Sequence, residues 1–152
     1  MANTKKTEIN HLFVKVFNSI LSWEEQSFRE MGLDRLSLRE LHVIEAVYYL
    51  MEKDKNKMSE IAAYLAITPG SLTTSVNCLV KKGYLERKND PDDRRVVKIV
   101  PTPMAEEANK IHQKFHMEMI DKVFASFDEK SIEVLSSALS CLDNIFGNDK
   151  RR

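Results

Sequence analysis

Between residues 59 and 83 the chain ends one short helix and starts another almost at once, and that break constrains everything around it. "SEIAAYLA", residues 59 to 66, spaces Ile61 and Leu65 for the buried side of a short helix and leaves small Ala62 for close helix contact. In "ITPGSLTTSVNCLVKKG", Thr68 has the chemistry of an N-cap. Pro69 comes next at the first helical position, where a missing N–H is no loss. Leu72, Val76 and Leu79 make an apolar stripe and Gly83 ends the helix. The outer face is left with Ser71, Thr73, Thr74, Ser75, Asn77 and Lys81. Two short helices around a tight turn, the second with a small polar face, spell helix-turn-helix.

Directly after the second helix the pattern changes to that of a hairpin. "YLERK" and "RVVKIV" are strand-like runs on either side of a turn rich in Asp, and Pro101 and Pro103 mark the exit. A long helix is expected from Met104 to Phe127, then a last helix capped by Asp128 and running to Phe146. Upstream, Ser37 with Glu40 three residues on reads as a capping box for a helix ending near Met51, and "EKDKNK", residues 52 to 57, reads as a solvated linker. Residues 8 to 30 place Ile9, Phe13, Val16, Ile20 and Trp23 at steps of three and four, and the last helix repeats the pattern with Ile132, Leu135, Leu139, Leu142 and Phe146. Each seam is too long for the small winged core to cover, so a partner subunit is expected. The fold class is mostly α with a small β-hairpin wing: a winged helix-turn-helix on a helical dimerisation base. The chain is read as one domain over 1–152, with a DNA-binding lobe over 37–101 and the dimerisation region over 8–30 plus 104–147.

Charge sharpens this by its distribution and not by its sum. Lys plus Arg equals Asp plus Glu at 23 each, so the total favours no partner. From Lys81 to Lys98, however, seven bases face four acids, whereas Thr102 to Gly147 has four bases against eight acids. A polar helix of Ser, Thr and Asn suits a major groove, and an arginine-bearing wing beside it can reach the neighbouring minor groove. Three aspartates crowd the wing tip because acids can aim bases: in Asp93-x-Arg95 the carboxylate can hold the guanidinium in one geometry before DNA arrives. On this reading Arg95 enters the minor groove, Arg94 is a second candidate, and Asp93 is the brace. Thr73 and Asn77 meet base edges, while Lys81, Lys82 and Lys88 meet phosphates. The operator is expected to be an inverted repeat in double-stranded DNA, read by a homodimer.

Other classes fit poorly. Lys15 and Asn18 interrupt the apolar runs near the N-terminus, which therefore reads as an amphipathic helix and not a signal sequence. Nothing approaches the roughly 18 apolar residues of a membrane span. Cys78 and Cys141 are distant and outside any CxxC pattern, so two reduced, packed thiols in a cytoplasmic protein are expected. A phosphate-binding Gly loop, a nucleophile elbow and HExxH are all missing, and an enzyme is not expected.

The run from Ser59 to Thr102, with "KKGYLERKNDPDDRRVVKIVPT" at its centre, resembles the winged helix-turn-helix of the multiple antibiotic resistance regulator (MarR) family, and the flanking helices match too. The resemblance implies an obligate homodimer built on the first, fifth and sixth helices, with two recognition helices in successive major grooves and an effector between base and lobes. One departure stands out: Thr73-Thr74 and Val76-Asn77-Cys78 replace the Thr-Arg and Val-Asp-Arg of many members. Within the family, "FNSILSWEEQSFRE" and "HQKFHMEMIDKVF" are similar to FabT-type repressors of bacterial fatty-acid synthesis genes, which implies long-chain acyl-acyl carrier protein as corepressor. Phe13, Phe17, Trp23, Phe28, Met31, Phe115, Met119 and Phe124 offer an adaptable apolar lining for an acyl ligand. The alternative effector is zinc. His112 and His116 lie one turn apart, Glu24 and His42 can complete four ligands, and the set resembles the primary zinc site of zinc-responsive members. Leu41 and Ile111 stand where the second such site has acids.

Overall fold

A computed structural model of the chain describes residues 2–149, with side chains over 4–147. The order is α1 (Ala2–Glu30), α2 (Leu38–Met51), α3 (Met58–Tyr64), α4 (Pro69–Lys81), β1 (Leu85–Asn89), β2 (Val97–Pro101), α5 (Pro103–Ser126) and α6 (Glu129–Asp149). Mostly helical with one antiparallel hairpin, it has the expected class. The described residues form two compact units, one ending at Leu38 and the other starting at Arg39. No helix among them is long and apolar enough to cross a membrane.

The N-terminal unit is almost entirely α1. It begins at Ala2, ahead of the apolar repeat that marks a helix from residue 8 in the sequence, because a first turn of polar residues carries no hydrophobic period to announce it. Its end is built by glycine: Gly32 takes φ 78°, and Leu33 N–H donates back to Phe28 C=O at 2.9 Å. Phe28 and Leu33, the pair that closes this turn, are both buried.

In the second unit the same backbone device repeats at three further helix ends. Lys55 donates to Leu50 C=O after Asp54 at φ 55°, Ile67 to Ala62 C=O after Ala66 at φ 52°, and Tyr84 to Leu79 C=O after Gly83 at φ 84°. Each reverses the chain within a few residues, which is how α3 and α4 come to pack against each other and α4 against β1. The core is supplied by Val43, Ile44 and Val47 of α2, Ile61 of α3, Leu72, Val76 and Leu79 of α4, and Ile99 of β2, all completely buried. Eight such side chains give about 1.5–3 kcal/mol each of apolar burial, the main favourable term in this lobe.

Residues 52–55 are exposed, as their composition suggests, but the two residues that complete this linker dock on the hairpin. Asn56 is buried: its Nδ2 donates to Ile99 C=O at 2.7 Å, its own C=O accepts from Ile99 N–H at 2.9 Å, and Lys57 bridges Lys98. Asn56 and Lys57 therefore lie along β2 as a short extra edge. β1 and β2 pair from Leu85↔Pro101 to Asn89↔Val97. Thr102 closes the hairpin base by donating from its hydroxyl to Gly83 C=O at 2.7 Å, and α5 begins with Pro103 in its first turn. Asp128 caps α6 as expected, its carboxylate accepting Ser131 N–H at 2.9 Å. Among the described residues α6 buries none: Leu139, Ile145 and Phe146 are all more than half exposed.

Candidate nucleic-acid interface

α4 owes its orientation to its ends and its buried stripe. Thr68 Oγ1 accepts Ser71 N–H at 3.2 Å, capping the helix as expected, while Leu72, Val76 and Leu79 fix which side faces inward. Thr73, Thr74, Asn77 and Lys81 are exposed on the other side and Ser71 is half-buried. Ser75, expected outside, is buried instead, with Oγ donating to Ser71 C=O at 3.2 Å, because its position falls next to the Leu72–Val76 stripe. The hydroxyls of Thr73 and Thr74 donate to Pro69 C=O at 2.8 Å and Gly70 C=O at 3.1 Å. With their protons engaged, both threonines turn lone pairs and methyl groups outward. Asn77 Oδ1 accepts from Arg87 Nη2 on β1 at 2.6 Å, a contact between positions ten residues apart that no helical or strand period reveals.

Of the lysines expected at phosphates, Lys81 and Lys88 are exposed, Lys88 standing 3.6 Å from Glu86. Lys82 is the exception. Its ammonium bonds both oxygens of the buried Glu40 carboxylate at 2.8 Å, so its charge is answered within the protein. That pair ties the end of α4 to the start of α2. Cys78 and Cys141, expected as packed thiols, are free and exposed.

The turn between β1 and β2 is a small electrostatic machine. Asp90 accepts the N–H groups of Asp92 at 2.9 Å and Asp93 at 3.4 Å and also meets Lys98 Nζ at 2.7 Å; the same ammonium reaches Asp54 at 2.6 Å. The Lys98 ammonium, first, and the donated N–H groups hold the Asp90 carboxyl below the ordinary aspartate value. Lys98, bonded to Asp54 and then Asp90, has its pKa raised. These contacts peg the turn to the segment between α2 and α3. Asp93 does a different job. Its carboxylate accepts Arg95 Nε at 3.0 Å, Arg95 Nη2 at 3.1 Å and the Arg95 backbone N–H at 3.0 Å. The Arg95 guanidinium, followed by the Arg95 backbone N–H, pulls the Asp93 carboxyl down, and Asp93 pushes the guanidinium up. The Arg95 side chain is nevertheless 91% exposed, so the clamp aims it without hiding it. Arg94 is exposed beside it.

The histidines of the second unit also converge. His112 is buried on α5, and its Nε2 lies 2.8 Å from His116 Nε2, a distance that requires one ring to donate to the other's lone pair. The His42 ring centroid is 5.4 Å from that of His112. Glu45, which no motif or spacing singles out, places Oε2 3.7 Å from His112 Nδ1, and donor atoms of Glu45, His112 and His116 all lie within 4.8 Å of one another. One turn of α2 separates His42 from Glu45, so either could serve a pair of imidazoles. Two imidazole nitrogens and a carboxylate oxygen suit a borderline-soft divalent ion such as zinc. Glu24 belongs to the N-terminal unit, where it is buried.

The apolar residues expected to line an acyl site divide by unit. In the first, Phe28 is buried, Trp23 half-buried, and Phe13, Phe17 and Met31 exposed; Trp23 lines a shallow groove of α1 with Lys15, Asn18, Ser19, Ser22 and Gln26. In the second, Phe115 is buried, Met119 half-buried and Phe124 exposed.

A polar helix, an aimed arginine and the hairpin between them can be set against known proteins. Residues 36–97 match the MarR family model. Over 93% of this chain and 97% of the other, the fold is similar to FabT of Streptococcus pneumoniae, solved in complex with DNA, at 30% identity and a TM-score of 0.82.

The chain belongs to the MarR family.

Two curated relatives extend the match in sequence. The HTH-type transcriptional regulator BilQ of Clostridium symbiosum is 30% identical over 67% of this chain and 71% of its own length. YcgE of Bacillus subtilis, another HTH-type transcriptional regulator, is 25% identical over 91% of this chain and 92% of its own. As a member of the MarR family the chain is a regulator of transcription that binds double-stranded DNA, and not an enzyme.

Proposed function

We propose that the chain is a repressor of fatty-acid biosynthesis genes that grips an inverted-repeat operator as a homodimer. The observation that carries the DNA half of this reading is the bidentate hold of Asp93 on a nearly fully exposed Arg95. An arginine fixed by a carboxylate has lost its rotamer freedom in advance, which favours a minor-groove contact at the wing. Thr73 and Asn77 then read base edges, Ser71 and Thr74 flank them, Lys81 and Lys88 meet phosphates, and Arg94 is a second wing contact. Exposed apolar seams on α1 and α6 favour a second copy as their cover, and two-fold copies read half-sites about one helical turn, roughly 34 Å, apart.

Likeness to FabT over nearly the whole chain supports the choice of target genes; a long-chain acyl-acyl carrier protein as corepressor is what the sequence resemblance to FabT-type repressors implies. A gel shift on the promoter regions of the organism's own fatty-acid synthesis genes tests it, with and without that acyl protein. The reading predicts retarded duplex that tightens when the acyl protein is added. Unchanged binding removes the acyl effector, and no retardation in low salt removes the target genes.

One observation favours a second effector, the convergence of Glu45, His112 and His116. Bound there, zinc would cross-link α2 and α5, the helices that carry these side chains. Titration of metal-free protein with zinc decides: binding no tighter than about micromolar removes the ion from consideration, since structural and sensory zinc sites hold it far more strongly.

A further inference from the structure

The amide of Asn77 cannot present either of its ends at will. Arg87 donates to its Oδ1 at 2.6 Å, and a guanidinium only donates, so the amide must turn its oxygen toward Arg87 and its NH2 the other way. Both side chains are exposed, and Asn77 lies one turn beyond Thr73 on the outer face of α4. An unencumbered asparagine pairs with adenine because it sets one donor and one acceptor side by side, matching N7 and the N6 amino group. Here one of the oxygen's two lone pairs is taken by Arg87, and an amino group approaching the other would meet the positive charge and N–H groups of the same guanidinium. What the pair offers outward is dominated by donors, the Asn77 NH2 and the unused N–H groups of Arg87.

We infer that Asn77 and Arg87 act together as a donor-rich reader that selects guanine, whose major-groove edge offers two acceptors, N7 and O6. Adenine would set its amino group against a donor, cytosine offers only an amino group, and thymine supplies one acceptor beside a methyl. The inference rests on the proposed placement of α4 in the major groove. It also assigns a specificity role to Arg87, which sits on a strand and outside the recognition helix. Aspartate at position 77 would still bond Arg87 but bring no donor of its own, so asparagine at this position is what makes the pair a reader of two acceptors.

Selection of binding sites from a randomised duplex pool by the full-length protein, followed by base analogues, tests this. In the wild type, each guanine of the enriched motif is replaced in turn by 7-deazaguanine, which lacks N7, and by 2-aminopurine, which lacks O6. One guanine per half-site is expected to be sensitive to both, with binding weakened roughly five- to a hundredfold, the scale of one base-edge contact. Selection with Asn77→Asp is expected to relax the preference at that same position. A motif in which no guanine responds to both analogues overturns the inference, as does Asn77→Asp relaxing the preference at an adenine, thymine or cytosine. A wild type that enriches no motif at all overturns the groove placement first, and the inference with it.

Discussion

The wing and the last helix treat their side chains in opposite ways. At the tip of the hairpin a chain of charges is answered within the protein: Asp90 holds Lys98, Lys98 also holds Asp54, and Asp93 holds Arg95. On α6 none of the apolar residues that recur every three or four positions is fully covered: Ile132 and Leu142 are half-buried, and Leu139 and Phe146 stand more than half exposed. A region whose turn is held by internal contacts yet leaves its arginines exposed is prepared for a charged ligand. A region with an apolar stripe and no cover is prepared for another protein surface. In this chain the hairpin is closed by its own contacts and α6 is not.

The contrast breaks most visibly at α6. Leu139→Glu is expected to dissociate the proposed dimer, with a loss of about 2 kcal/mol or more in association and of operator binding with it, as for a buried anchor of an interface. Sedimentation equilibrium reads the outcome. If α6 were ordinary surface, the same change would shift stability by less than about 0.5 kcal/mol and leave the mass unaltered.

At the wing the expected losses are smaller and leave assembly intact. Arg95→Ala is predicted to weaken operator binding roughly 5- to 150-fold at fixed salt, the scale of one good arginine contact. Asp93→Asn keeps the guanidinium but removes its clamp, and the weakening is predicted to be roughly two- to tenfold, the scale of ordering one flexible side chain. A gel shift with both variants on one duplex orders them; an Asp93→Asn loss as large as that of Arg95→Ala contradicts the division of labour between brace and finger.

The lysines sharpen the comparison further. Removing the exposed Lys81 as Lys81→Met is expected to reduce the slope of log affinity against log salt by about 1. Lys82→Met is expected to leave that slope in place, since Glu40 already neutralises this ammonium, and to lower thermal stability instead by stranding a buried carboxylate. A flattened slope for Lys82→Met would return it to the phosphates.

The smallest effect is in acid. Asp90 and Asp93 have carboxyls lowered from 3.8 in the folded chain, by Lys98 and Arg95 respectively, so each contributes stability that is present above 3.8 and lost as pH falls through the lower folded value. Carboxyl-carbon NMR is expected to show both midpoints below 3.8, and an Asp93 midpoint moved upward in Arg95→Ala.

These regions also differ in how far they could be read from the sequence. Local signals carried the frame of the DNA-reading element: Thr68 before Pro69 fixed the start of α4, Gly83 its end, and the period of Leu72, Val76 and Leu79 its inner face. The Asp93-x-Arg95 spacing was legible because both partners lie in one turn. Contacts that cross the fold were not. Composition made residues 52–57 a linker, yet Asn56 imitates a strand through its amide and is buried against Ile99. Lys82 looked like a phosphate contact until Glu40, 42 residues away, met it. Arg87 and Asn77, and Glu45 with His112, likewise belong to different elements, so no periodicity could pair them. Ser75 was misplaced by about a quarter turn, within the reach of a stripe drawn from three residues.

The mass of the complex on one inverted-repeat duplex tests the comparison most directly. Sedimentation of the full-length chain bound to a duplex from its own promoter region is predicted to give two chains per duplex, the exposed seams of α1 and α6 covered by a second copy. One chain per duplex at saturation, with binding as tight as ever, would contradict it.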